Sequence, residues 1–281
     1  MIKYVIKSDG RKERFNKNKL VSSLKKAGLE TQHIGSIVSQ VQNLPDEAST
    51  LEIFNEAMRS LKRYKRGVAA RYNLKKALYA LGPAGYPFEQ FVAKIYDRRG
   101  YNTEVGKEIP GYCVAHEVDV IATSKREHIL IECKFHNSPG IKTNVKTALY
   151  VRARFEDIEK QAQQDSKHGE HFHSITLATN TKFTIDAIQY GECAGITFLG
   201  WSYPLKENIV YFVEKYHLYP ITCLTSVTKK LKTELVKNGF ILCESLAKHS
   251  SKLANVIRDE RKRKKIIQEA QDICSFAPKK R

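Results

Sequence analysis

The sequence predicts a mixed α/β chain in three segments: a hairpin with helices, a central mixed sheet flanked by helices, and a helical C-terminal region. Apolar runs at 118–122 and 129–131 flank a short polar turn, as the two strands of a hairpin do. Leu81-Gly-Pro-Ala-Gly-Tyr-Pro87 carries two glycines and two prolines in seven residues, a helix stop and a natural boundary. After Tyr211 the apolar spacing becomes helical. The expected divisions are 1–82, 85–212 and 213–281.

Residues 4–15 give two short strands around the Asp9-Gly10 turn. A helix from Lys19 sets Leu20, Val21, Leu24 and Ala27 on one face and stops at Gly28, and further helical runs cover 32–42, 51–61 and 67–81. In the central segment Asp119 lies on one apolar run, and Glu132-Cys-Lys134 ends the next across the polar turn at 123–128. Strand residues two apart face the same side, so Glu132 and Lys134 project together while Cys133 points into the core. Two such carboxylates can hold a hard divalent cation, Mg2+ or Mn2+, and Lys134 can orient or help deprotonate a water for attack on phosphorus.

The polar stretch 136–146 flanks this site, and a helix over 148–158 carries Arg152 and Arg154 as candidate phosphate contacts. Strands at 174–179 and 196–199 with a helix at 185–190 between them favour a parallel pair. His116 and His136 have no zinc-ligand spacing and read as hydrogen-bonding or substrate-side residues. The C-terminal region places two helices around Asn238-Gly239, then a basic helix or tail with nine Lys and Arg against four Asp and Glu from Arg258 to Arg281.

A net charge of +18 over 281 residues calls for a polyanionic partner, and nucleic acid is the simplest. No apolar stretch approaches the ~20 residues that span a bilayer, and no signal peptide is expected. The six dispersed cysteines read as small buried hydrophobes of a reducing cytoplasm.

Gly85-Tyr-Pro-Phe-Glu89, Arg99-Gly-Tyr101, Glu117-Val-Asp119, Glu132-Cys-Lys134, Thr176-Leu-Ala-Thr-Asn180 and 195–201 together resemble the Mrr-type branch of the PD-(D/E)xK nucleases over residues 85–212. The resemblance implies a restriction-endonuclease-like sheet, metal binding by Asp119 and Glu132 with an additional acid from Glu89 on a preceding helix, and a water positioned by Lys134. Val118-Asp119 replaces the usual Pro-Asp, and Gln161 or Gln164 is a candidate further member. Residues 1–80, with 17 Lys and Arg against 7 Asp and Glu, resemble an ATP-cone, which implies ATP or dATP held by Lys7, Glu13 and Lys19, with Ser8 where that family usually has Arg. The helices around Gly239 resemble a helix-hairpin-helix, and Lys262, Arg263 and Lys264 are candidate DNA contacts. The expected function is a magnesium-dependent DNA endonuclease of restriction, a homo-oligomer with a nucleotide-responsive N-terminus. The alternatives are a branched-DNA resolvase or repair nuclease, and a non-catalytic regulator, whose Cys-x-x-Cys zinc ribbon this sequence lacks.

Overall fold

Strands β1 (Tyr4–Ile6) and β2 (Lys12–Arg14) open the chain as an antiparallel hairpin with Val5 opposite Glu13. Gly10 takes φ +81° in the connection, the left-handed region that only glycine enters without strain. The computed structural model describes residues 1–7, 9–164 and 172–275, so Ser8 and the basic residues Lys279, Lys280 and Arg281 lie outside the described residues. Helices α1 (Lys17–Lys26), α2 (Thr31–Gln42), α3 (Thr50–Tyr64), α4 (Arg66–Tyr72) and α5 (Leu74–Tyr79) follow. The Asn16 side chain caps α1 by accepting the Lys19 amide, and Ser49 with Glu52 closes a capping box on α3. The single helix expected over 67–81 is broken at Asn73, whose short polar side chain suits a helix end better than a helix interior.

Leu24, Val41, Ala57, Leu61, Val68 and Ala69 form the core of this segment. The last segment packs into the same compact unit, which joins Met1–Leu78 to Tyr219–Arg281, while Tyr79–Leu218 form a second unit.

The second unit begins with α6 (Tyr86–Arg98), which enters after Gly85 with Pro87 in its first turn, where a missing amide costs nothing. Strands β3 (Asn102–Pro110), β4 (Ala115–Thr123) and β5 (His128–Lys134) form an antiparallel meander. The short β6 (Lys142–Thr143) and the 20-residue α7 (Val145–Gln164) come next. After them run β7 (Ser174–Thr179), β8 (Lys182–Phe183), α8 (Ile185–Cys193), β9 (Ile196–Leu199) and α9 (Ile209–Tyr216).

The main sheet has the order β3-β4-β5-β7-β9, with β7 parallel to both β5 and β9, so the mixed sheet and its parallel pair stand as expected. The pair β6 and β8 is a small separate parallel sheet, and β6 lies inside the stretch 136–146 that the sequence presented as polar. Val151, Phe155 and Ile158 of α7 pack with Leu130, Ile175 and Leu177 in one core, and Phe88, Phe91 and Ile95 of α6 are fully buried.

Among the described residues the first unit continues with a short 3-10 helix (Ile221–Cys223) and α10 (Lys229–Lys237), α11 (Glu244–Lys248), α12 (Ser250–Val256) and α13 (Glu260–Cys274). Gly239, at φ +76°, ends α10. Within the described residues the basic segment is no detachable tail, because Ile266, Ala270 and Ile273 of α13 are buried. Glu269, 2 % exposed, accepts the amides of Thr225 and Ser226 and the Thr225 hydroxyl. A Cβ on Gly67 would stand 3.0 Å from the Asp272 carbonyl oxygen, so α4 and α13 approach closely there and a side chain would push them apart slightly. All six cysteines are free thiols; Cys133, Cys223 and Cys243 are buried as expected, but Cys113 and Cys193 are exposed.

Candidate active site

The β4–β5 ladder runs from Thr123↔His128 to Val120↔Ile131. One step further, where Asp119 and Glu132 would face each other, the Cys133 amide is held instead by the Asp119 carboxylate, Oδ2 accepting at 2.6 Å. A side chain thus replaces a backbone partner, the strands part, and two acids stand at the fork. Glu89 joins them from the first turn of α6. Burial, and then the charges of Asp119, Glu117 and Glu132, push its carboxyl up to about 7. Glu132 is also raised to about 7 by burial and by Asp119, with Arg154 and Lys134 pulling it down. Asp119 is raised by burial, against the hydrogen bond from Cys133.

Arg154 of α7 donates through Nη1 to Glu132 Oε2 at 2.6 Å and through Nη2 to the Glu117 carbonyl. The sequence suggested this arginine only as a phosphate contact. Arg152, two residues away, pairs with Glu156 at 2.7 Å, apart from the acids. Gln161 and Gln164 lie roughly 10 and 15 Å further along α7 from Arg154.

One turn beyond Arg154, Asp157 accepts from the Cys113 amide at 2.9 Å and pairs with His116 Nε2 at 2.8 Å, pinning the β3–β4 turn to α7. The His116 hydrogen bond foremost, with that amide, holds the Asp157 carboxyl at about 2 against desolvation.

At the ends of β5 and β7 a buried hydroxyl network fixes the backbone of Lys134, with Thr179 Oγ1 donating to the Lys134 carbonyl at 2.7 Å and receiving Thr143 Oγ1 at 3.1 Å. Asn180 exchanges two hydrogen bonds with the His136 backbone, and the His136 ring meets the Thr143 hydroxyl. Polar Thr and Asn closing an apolar strand at 176–180 was the signal for this network.

The oxygen donors of Glu89, Asp119 and Glu132 suit a hard divalent cation in kind. Among the described residues, no three His, Cys, Asp or Glu side chains stand as a ready metal cage. Asp119 spends one oxygen on Cys133 and Glu132 spends one on Arg154.

On the hairpin of the first unit, Lys7 Nζ pairs with Glu13 Oε2 at 3.1 Å, and that hydrogen bond, aided by the charges of Lys7 and Lys19, lowers the Glu13 carboxyl. The structure therefore brings together Lys7, Glu13 and Lys19. Lys262 and Lys264 are exposed on α13, Lys264 pairing with Glu260 at 2.8 Å, whereas Arg263 folds back on the Ile257 and Arg258 carbonyls at 2.7 Å.

Fold and site together define a restriction-endonuclease domain of the Mrr type coupled to an ATP-cone. The family profile described as restriction endonuclease matches residues 83–200, and that described as ATP cone domain matches 3–79. A third, described as AF1548-like, C-terminal, matches 219–274.

An uncharacterized protein of Archaeoglobus fulgidus is 38 % identical over 183 residues, 65 % of this chain and 99 % of its own length. The crystal structure of the protein of unknown function AF1548 is 36 % identical with a TM-score of 0.57, covering 68 % of this chain and 98 % of that one. The chain belongs to the AF1548-like family. MspJI restriction endonuclease in complex with a 27-mer oligonucleotide aligns at 12 % identity and a TM-score of 0.32, covering 72 % of this chain and 40 % of that one, a likeness too slight to carry an argument. No helix of the described residues is long and apolar enough to cross a membrane.

Proposed function

We propose that this chain is a divalent-metal-dependent DNA endonuclease acting in restriction, with ATP or dATP bound at its N-terminal module as a regulatory ligand. The observation that carries the reading is the meeting of Glu89, Asp119 and Glu132, from one helix and two strands, close enough that Asp119 raises the proton affinity of both glutamates and Glu132 adds to that of Glu89. Arg154 and Lys134 offset only part of that effect at Glu132, and a divalent cation would relieve the rest. Glu89, Asp119 and Glu132 would hold Mg2+ or Mn2+, and the ion would supply charge neutralisation at the phosphorus centre. Lys134, at the end of β5 with its backbone fixed by Thr179, orients the attacking water. The basic chain supplies most of the DNA affinity through phosphate contacts. Double-strand cleavage favours a homo-oligomer of at least two copies.

The test is cleavage of plasmid, methylated plasmid and a four-way junction, with magnesium and with chelator. Magnesium-dependent cutting that Lys134→Ala abolishes, with DNA binding retained, is the expected result. Preference for the junction would move the task from restriction to resolution or repair. Cutting that is indifferent to chelator and to Lys134→Ala would overturn the assignment.

A further inference from the structure

The guanidinium of Arg154 holds a carboxylate that the proposed metal would need. It is 13 % exposed in its side chain, 2.6 Å from Glu132, also bonded to the Glu117 carbonyl, and lies 5.3 Å from the ring centre of Tyr150, itself a largely exposed aromatic one turn earlier on α7. The helix that carries it is pinned to the β3–β4 turn by Asp157. Glu132 therefore already has a cation, supplied by the chain, and a divalent ion must displace it to gain the full carboxylate.

A guanidinium leaves a carboxylate most readily for another anion that matches its planar fork, and a phosphodiester is such an anion. We propose that Arg154 is a substrate-gated latch: without DNA it neutralises Glu132 and keeps the divalent cation out, and with DNA it transfers to a backbone phosphate and releases Glu132 to the metal. Metal and DNA binding are then linked, and the linkage is reciprocal. The inference rests on the proposed nuclease reading and adds the order of assembly to it. A metal site that forms only beside substrate leaves the three acids unloaded elsewhere.

The experiment follows Mn2+ binding to the full chain by the paramagnetic resonance of the free ion, alone and with a phosphorothioate duplex whose own binding is measured separately. Wild type should gain about tenfold in Mn2+ affinity on adding duplex, the scale of ordinary coupling between sites. Arg154→Met should bind Mn2+ about tenfold more tightly than wild type without duplex and gain nothing further with it. Arg154→Lys, which keeps the charge, should stay near wild type.

The wild-type comparison needs no variant, so a poorly folded Arg154→Met leaves the inference testable. Equal Mn2+ affinity in wild type with and without duplex would overturn the latch and leave the metal site standing. No Mn2+ bound by wild type or Arg154→Met under either condition would overturn the metal reading, and the latch with it.

Discussion

The Asp119 carboxylate accepts the Cys133 amide at 2.6 Å, where the strand ladder between them would otherwise continue. Asp119 is thus both an acceptor for the sheet and a charge that acts on Glu89 and Glu132, and substitutions can separate the two. Asp119→Asn keeps an oxygen for Cys133 and loses the charge, so cleavage should vanish with the melting temperature nearly unchanged. Asp119→Ala leaves the Cys133 amide without that acceptor, and should also cost about 1–3 kcal/mol in urea unfolding. Equal stability of the two variants would contradict the double role.

Glu89 should destabilise the metal-free protein above neutral pH. Its folded carboxyl sits at about 7 against an ordinary 4.5, so the folded state binds more protons than the unfolded state between those values and stability falls as pH rises. Burial is the main cause, and the charges of Asp119, Glu117 and Glu132 add to it. Discounted for its half-exposed setting, Glu89→Gln should gain about 1 kcal/mol at pH 8, some 2–4 °C in melting temperature, and nothing at pH 4. Melts in chelator across that range check it, and a gain that persists at pH 4 would contradict it.

Asp157→Ala should loosen the β3–β4 turn and α7 together, because the Cys113 amide and the His116 ring lose one shared anchor. The carboxyl is held down to about 2, so its contribution is full above pH 4 and fades as pH falls toward 2. Hydrogen exchange at Cys113 and Val114 should accelerate at pH 7, and unchanged protection there would count against the anchor.

Lys7→Ala with Lys19→Ala should remove binding of ATP or dATP measured by calorimetry, since Lys7 pairs with Glu13 and Lys19, on α1, is near enough for its charge to act on the same carboxyl. The metal site should be untouched. Heat of binding retained in the double variant would show that other residues hold the nucleotide.

Lys262→Ala with Lys264→Ala is the right test of the basic C-terminus, because deleting α13 would remove Ile266, Glu269 and Ile273 from the core. If each lysine neutralises one backbone phosphate, each substitution should lower the slope of log affinity against log salt by roughly 0.9. An unchanged slope would mean that the two lysines are only solvated.

The elements with strong local signals were legible: the Asp9-Gly10 hairpin, the β4–β5 hairpin and the strand-helix-strand over 174–199 correspond to observed elements. Strand β3 was not, since it lies at the sheet edge with most side chains at least partly exposed and lacks an apolar face to announce it. At the site, residue spacing set Glu132 and Lys134 on one strand end and the preceding helix supplied Glu89, but the partner of Glu132 was hidden. Arg154 is 22 positions away on a helix whose arginines look alike in sequence, and only the packing of α7 separates it from Arg152.

The unit built from residues 1–78 and 219–281 has a consequence for how the protein is made. Every residue of Tyr79–Leu218 leaves the ribosome before Tyr219–Arg281 does, so when the nuclease unit has been delivered Gly67 still waits for Asp272 to pack against it. Domains fold as units while synthesis proceeds from the N-terminus at ~5–20 residues per second. The unit that carries the restriction-endonuclease domain can therefore fold seconds before the unit that carries the ATP-cone is whole, and during that interval each new chain has a finished nuclease domain and an incomplete ATP-cone unit.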